Sequence, residues 1–145
     1  MAECSFCDLD GFRTNSKIVL EDDLCLFANA EDTEVLRGSG VIVPKRHAET
    51  VFDLTRAEIA STFALLHEAR LLLDRRYRPD GYNIGWNCYG AAGQVVPHAH
   101  LHVLLRFKDE PCVGKGQRWF LRQDENVRPD PSALGTGARD FQTSL

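Results

Sequence analysis

The stretch His98-Ala99-His100-Leu101-His102-Val103-Leu104 places a histidine at every second position. A period of two is the pattern of a β-strand, whose side chains alternate between faces. His98, His100 and His102 then share one face, and Ala99, Leu101 and Val103 share the other. The apolar face suits a core. The imidazole face is costly to bury without partners, so it is expected to line a cleft. On a regular strand neighbouring histidines stand about 6.6 Å apart and the outer two about 13 Å apart. That spacing makes one ion held by all three awkward. Separate roles are easier: one histidine in a structural metal site, one as nucleophile, one against an anion. The plain alternative is a surface strand with incidental histidines. Against it, the tract is internal, strictly alternating, and preceded by a small-residue loop ending in Gly93-Gln94.

Upstream, Tyr82-Asn83-Ile84-Gly85-Trp86-Asn87 also alternates. Tyr82, Ile84 and Trp86 form its apolar set, and Asn83, Gly85 and Asn87 fall on the cleft side if the strand is regular. Cys88 through Gln94 is rich in small residues, so backbone can approach a ligand and present N–H groups to phosphate. It lacks the Gly-Lys-Ser/Thr ending of a P-loop. Pro97 cannot donate to a ladder, so strand pairing is expected to begin after it.

Further upstream, Val41-Ile42-Val43 is a β-branched run that reads as a central strand, ended by Pro44. Lys45-Arg46-His47 follows, and His47 is either a solvated loop histidine or one turned toward the cleft. Ile18-Val19-Leu20 and Leu24-Cys25-Leu26-Phe27 read as two strands joined by a turn at Glu21-Asp22-Asp23. Ala28-Asn29-Ala30 leaves the second strand, and Asp32-Thr33-Glu34 begins a polar connection. Thr55 and Glu58 fit a capping box. Beyond it Ile59, Phe63, Leu66, Leu73 and Tyr77 recur near helical spacing, broadened by Leu65, Ala69 and Leu72. One long helix is expected, packed on a sheet and ending before Pro79-Asp80-Gly81. His67 within it reads as structural or exposed.

Near the start, Ser5-Phe6 separates Cys4 from Cys7. A C-x-x-C turn brings two thiolates within reach of one zinc ion, which needs two more ligands. A redox pair and two ordinary small apolar residues are the other readings. The five cysteines are odd in number and irregularly spaced. Without a secretion pattern they argue for thiols rather than a disulfide scaffold.

The 145 residues suit one compact domain, and an apolar share of 43% supports a core. A net charge of −4 argues against a nucleic-acid-coating surface. No apolar run suggests a membrane span. A cytoplasmic protein that engages neither nucleic acid nor membrane is expected. Trp119-Phe120-Leu121 suggests a short anchored segment. From Glu125 onward the Pro, Gly, Asp and Ser content predicts a mostly irregular tail. The expected division is a catalytic domain over 1–110 and an extension over 111–145.

Gly93-Gln94, the proline-led row His98, His100, His102, and Val43-Pro44-Lys45-Arg46-His47 together resemble the histidine triad (HIT) family of nucleotide hydrolases and transferases. The match runs from about Cys4 to Arg106, with Asn83, Asn87 and the intervening helix in the right order. The resemblance implies an α+β fold, an antiparallel sheet carrying one long helix, usually assembled as a homodimer. It implies a purine nucleotide substrate, a nucleoside 5'-phosphoramidate or dinucleoside polyphosphate, cleaved at the α-phosphorus through a nucleotidyl-histidine to release a nucleoside monophosphate. A binding protein with little turnover, or a nucleotidyltransferase, is the alternative.

Residue by residue, His100 matches the nucleophile, and His102 the histidine beside the transferred phosphate. Gln94 and Asn87 match positions at the phosphate and leaving side. Asn29 matches a polar residue against ribose, and Phe6, Leu26 and Phe27 a base pocket. In the cysteine-containing branch, Cys4 and Cys7 are joined on a structural zinc by residues matching His47 and His98. No catalytic metal is implied. The chain departs from the pattern at Val95, where many relatives carry Ser or Thr after the glutamine. It departs again at Glu34–Ser39, where a Pro-rich loop is common, and at Leu105-Arg106.

Overall fold

The computed structural model describes residues 4–30 and 37–127. The connection expected at Asp32–Glu34 and the tail beyond Val127 lie outside the described residues. The chain divides into two units, Met1–Val113 and Gly114–Leu145.

The first unit is a five-stranded antiparallel sheet in the order β1-β2-β3-β5-β4. Its elements are α1 (Leu9–Thr14), β1 (Ser16–Glu21), β2 (Cys25–Ala30), β3 (Gly40–Pro44), α2 (Arg56–Tyr77), β4 (Gly81–Trp86) and β5 (Leu101–Arg106). The expected α+β architecture with one long helix on a sheet is what the chain forms. The β-branched run Val41–Val43 lies in the middle strand. The turn between β1 and β2 is closed by Asp22, whose Oδ1 accepts from the N–H groups of Leu24 and Cys25 at 2.9 and 2.8 Å. Among the described residues no helix is long and apolar enough to cross a membrane.

Residues paired across an antiparallel ladder share a face. Phe27 pairs with Ile42, Ile42 with Leu101, and Leu101 with Trp86. This face meets α2, and Phe27, Ile42, Leu101 and Val103 form one core with Leu65, Ala69 and Leu73. On the other face Leu26 pairs with Val43, Ala28 with Val41, Val41 with His102, and His102 with Gly85. Gly40 is forced where β2 and β3 cross closely. A Cβ there would stand 2.5 Å from the Ala28 carbonyl oxygen and 2.8 Å from Asn29 Cα. Gly40→Ala is expected to destabilise the fold by about 2–3 kcal/mol, because backbone rather than a flexible side chain must move. A urea titration checks this.

Two expectations are corrected. The histidine row is not one regular strand. β5 begins at Leu101, and His98 and His100 precede it. In β5 itself the alternation holds, with Leu101, Val103 and Leu105 buried and His102, Leu104 and Arg106 on the other face. The buried stripe of α2 also differs. Leu65, Ala69 and Leu73 are buried together with Glu58, Ser61 and Thr62, whereas Phe63 is 47% exposed and Leu72 is exposed. The first turns lie over the β1–β2 turn, where Ser61 donates to Asp22 and Thr62 meets the Cys25 sulfur. Small hydroxyl side chains fit that polar contact. Phe63 turns outward and meets Trp86 edge-on, with ring centroids 6.2 Å apart. His67 is exposed.

Thr55 caps α2 in a full capping box with Glu58. The Glu58 carboxylate also receives Arg46 through Nε and Nη2, each at 2.8 Å. This fork ties the Lys45-Arg46-His47 loop to the helix start. The Arg46 bonds, followed by the Thr55 bonds, hold the Glu58 carboxyl down at about 2, against an ordinary 4.5. Folding therefore favours the ionised form. That contribution is complete above about pH 4.5 and is lost as pH falls toward 2. Glu58→Gln is expected to cost about 2 kcal/mol at pH 7, discounted because Arg46 is half exposed. The variant's stability should also fall less steeply than wild type below pH 4.5, as denaturant midpoints across pH would show.

The second unit contains α3 (Gln117–Leu121) and a single helical turn at Asp124–Asn126. Lys115 lies over the Trp119 ring, 4.5 Å from its centroid. Trp119–Leu121, expected as an anchored segment, falls in this helix, but all three side chains are exposed among the described residues.

Candidate active site and metal centre

Three loops meet beside β5. The N-terminal turn, closed by Cys7 N–H donating to the Cys4 carbonyl, carries both sulfurs. The loop after β3 carries His47, and the segment before β5 carries His98. The ligand atoms of Cys4, Cys7, His47 and His98 all lie within 4.8 Å of one another. Cys4 Sγ stands 3.4 Å from His98 Nδ1, Cys7 Sγ 3.4 Å from His47 Nδ1, and Cys7 Sγ 3.6 Å from His98 Nδ1. Ordinary zinc–sulfur and zinc–nitrogen bonds put tetrahedral ligands about 3.5 Å apart, so these spacings fit one ion. His98 Nε2–H donates to the Pro44 carbonyl at 2.9 Å, which leaves Nδ1 as the lone-pair atom facing the sulfurs. Burial holds His98 below the usual imidazole range, in the neutral form that a metal ligand requires. His47, open between a solvated loop and a cleft reading, and His98 are thus gathered with the two cysteines into a cluster able to hold a metal.

His100 lies next along the chain, only 7% exposed. Its Nδ1 is 2.8 Å from the His98 carbonyl oxygen. A carbonyl only accepts, so the proton sits on Nδ1 and Nε2 carries the lone pair. The His102 ring stands edge-on to it, with centroids 4.7 Å apart. Burial, and then the facing His100, lower the His102 pKa. His102 Nε2 is buried and meets no protein hydrogen-bond partner among the described residues. Phe6 packs edge-on to His100 at 5.2 Å between centroids.

The loop from Asn87 to Val96 leads from β4 to the segment before β5. Tyr89 takes a left-handed φ of 67°, which L-residues rarely adopt. Gln94 holds it there. Its Oε1 accepts from Tyr89 N–H at 2.6 Å, and its Nε2 donates to the carbonyls of Glu49 and Val96 at 2.7 and 3.0 Å. Both ends of the amide are thus bonded to backbone. Gly93 has φ 86°, and a Cβ there would lie 3.7 Å from Asn87 Nδ2. Val95 is 90% exposed.

The geometry can be set beside known proteins. The sequence profile of the HIT domain matches residues 12–109, two thirds of the chain. The chain belongs to the HIT family. Among HIT relatives, the Protein hit of Bacillus subtilis is 33% identical over 124 residues, 84% of this chain and 82% of that one. The bis(5'-nucleosyl)-tetraphosphatase (asymmetrical) of Schizosaccharomyces pombe is 30% identical over 74 residues, covering 51% of this chain and 41% of that protein. A Zn-bound histidine triad family protein from Mycobacterium smegmatis is 25% identical in structural alignment. It has a TM-score of 0.64 and covers 75% of this chain and 78% of that one.

Within this HIT chain, His98, His100, His102, Phe6, Cys4, Cys7 and His47 come together. Leu26 is buried on the His102 face of the sheet. Phe27 and Asn29 are not on that face. Phe27 belongs to the helix-side core. Asn29 is fully buried opposite a bulge in β1, and its Oδ1 accepts from Lys17 and Ile18 N–H at 3.1 and 2.6 Å. Arg106 is bound to Glu110, Asn83 and the Cys112 carbonyl. A backbone carbonyl that fixes the His100 tautomer is expected of a nucleophilic imidazole, and the His98 carbonyl is in that place; the Pro44 carbonyl that fixes His98 has no signature in the sequence.

Proposed function

We propose that the chain is a nucleotidyl hydrolase that cleaves a nucleoside 5'-phosphoramidate or a dinucleoside polyphosphate at the α-phosphorus. The observation that carries this reading is the His100 tautomer. Nδ1–H is fixed on the His98 carbonyl, so in the neutral imidazole it is Nε2 that carries the lone pair and can attack. Nε2 attacks phosphorus in line, an N–P bond forms, and the bond to the leaving group breaks. Water then attacks the nucleotidyl-His100, the N–P bond breaks, and a nucleoside monophosphate leaves. The kinship with a bis(5'-nucleosyl)-tetraphosphatase supports this chemistry, and the likeness to the wider HIT family supports a hydrolase.

The other roles follow from placement. His102, with a buried Nε2 that has no hydrogen-bond partner among the described residues, suits a phosphoryl oxygen. Gln94 holds the Tyr89–Val96 loop in shape, and Asn87, directly after β4, is assigned to the phosphate. Phe6 and Leu26 serve the base side. Phe27 and Asn29 support β2 from behind rather than touch the nucleotide. The cysteine–histidine cluster holds a structural zinc, a reading supported by the tetrahedral spacing and by the Zn-bound relative from Mycobacterium smegmatis. When bound, that ion supplies a crosslink between chain segments.

The assembly we assign is a homodimer through β4. Among the described residues this strand is the last of the sheet, and the exposed Phe63 lies against Trp86 in it. Light scattering on the purified chain is expected to give twice the monomer mass.

The test of the reaction is turnover on four substrates: adenosine and guanosine 5'-phosphoramidates, and dinucleoside tri- and tetraphosphates. Nucleoside monophosphate from at least one of them is expected. Tight nucleotide binding without product from any of them would replace the hydrolase with a binding protein. Val95 bears on that outcome, since its exposed isopropyl group offers no hydroxyl to a leaving group.

A further inference from the structure

The ring of Phe6 occupies an unusual position in the chain. It lies inside the Cys4–Cys7 turn, one residue from one sulfur and two from the other. It is half buried and packs on three rings. The centroid of Phe12 is 5.3 Å away, that of His98 6.0 Å, and that of His100 5.2 Å. The contacts with His98 and His100 are edge-on, at 76° and 77°. One turn therefore joins both sulfurs of the metal cluster to an aromatic ring resting on the imidazole assigned above as nucleophile. Cys7 and its partner His47 are solvent-facing, so little apolar burial holds the turn in place. Besides these ring contacts of Phe6, its links to distant parts of the chain run through the sulfurs to His47 and His98.

We infer that the metal cluster acts as the positioning device for Phe6: metal bound by Cys4, Cys7, His47 and His98 sets the Phe6 ring against His100, and loss of metal releases the ring from the nucleotide cleft. Phe6 is a positioning residue for the His100 imidazole and one wall for the nucleoside. The metal tunes nucleotide affinity through Phe6 and takes no part in the bond-breaking step. This rests on the hydrolase reading for its nucleotide arm alone. The ring contact stands independently of it.

The test is a cycle of two changes, metal removal and Phe6→Ala, with two readouts. The first is the Kd for AMP and GMP. Edge-on aromatic contacts are worth a few-fold to about tenfold in an equilibrium constant, so Phe6→Ala in the loaded protein should weaken binding about fivefold. Stripping metal from wild type should weaken it by a similar factor, and stripping the Phe6→Ala variant should add less than twofold. Equal losses on stripping wild type and variant would overturn the proposal, because the metal would then act without Phe6. The second readout is the NMR shift of the His100 ring protons, which lie under the Phe6 ring current. Loaded Phe6→Ala and stripped wild type should show the same displacement. A stripped Phe6→Ala spectrum displaced as far again would contradict the coupling. Core amides of Leu101 and Val103 report whether the stripped chain stays folded. If it does not, Cys7→Ser, which removes one exposed ligand, takes the place of stripping in the same cycle. Failure of the loaded wild type to bind either nucleotide would defeat the hydrolase reading, while the ring-proton arm would still decide the inference.

Discussion

His100→Asn is expected to lower the rate of nucleoside monophosphate release by about 10⁴-fold or more, with the fold intact. Asparagine keeps much of the volume and can still donate to the His98 carbonyl, the bond that fixes the native ring at 2.8 Å. What it removes is the Nε2 lone pair. No neighbouring group replaces it. His102 Nε2 is buried, and His98 directs its own lone pair at the sulfurs. A step that depends on an N–P bond then has no route, and the residue acts with its surroundings as a unit rather than additively. The variant should keep its Kd for nucleoside monophosphate within a few-fold, because the cleft walls are unchanged. Parallel turnover and binding measurements separate the two. A His100→Asn protein that turns over within tenfold of wild type would remove the nucleophile assignment.

The double change Cys4→Ser with Cys7→Ser is expected to lower Tm by about 10 °C. The sequence separation of the ligands sets the size of this effect. Cys4 and His98 lie 94 positions apart, and Cys7 and His47 lie 40 apart. One ion there joins the N-terminal turn, the loop after β3 and the approach to β5. A ligand bound to the folded chain at about a thousandfold over its Kd stabilises it by about 4 kcal/mol. In a domain of this size each kcal/mol moves Tm by about 3 °C. Chelation of wild type should reproduce the shift, and the serine variant should not respond to chelator. Coincident melting of loaded, chelated and variant protein would show that no stabilising metal binds at these residues.

The residues that carry chemistry were the most legible in the sequence. Two cysteines at a fixed spacing and three alternating histidines name their own possibilities, because few other jobs suit those side chains. Strand spacing suggested separate roles for the histidines, but the regular strand it assumed begins only at Leu101, and which histidine takes which role came from the family resemblance. The capping box at Thr55 and the middle position of Val41–Val43 were local signals, and local structure obeyed them. Strand β2 was harder. Leu26, Phe27 and Ala28 are all fully buried, so hydrophobicity does not say which face each one takes. A shift of one residue exchanges the faces, so the resemblance named Leu26 and Phe27 together although they lie on opposite faces. The bulge that draws Asn29 away depends on how β1 pairs, which no stretch of β1 reveals alone. On α2, Phe63 matched the period but not the burial, because Ser61 and Thr62 fit the polar turn beneath them better.

The central claim is the covalent intermediate, and rapid quenching of wild type with adenosine 5'-phosphoramidate tests it most directly. Quenched protein is digested, and the peptide spanning His98–His102 is weighed and fragmented. A gain of one adenylyl group, localised to His100, formed within one turnover and lost on further incubation, is the predicted result. Product release at full rate with no adduct on that peptide, or an adduct on His98 or His102 instead, would contradict the mechanism.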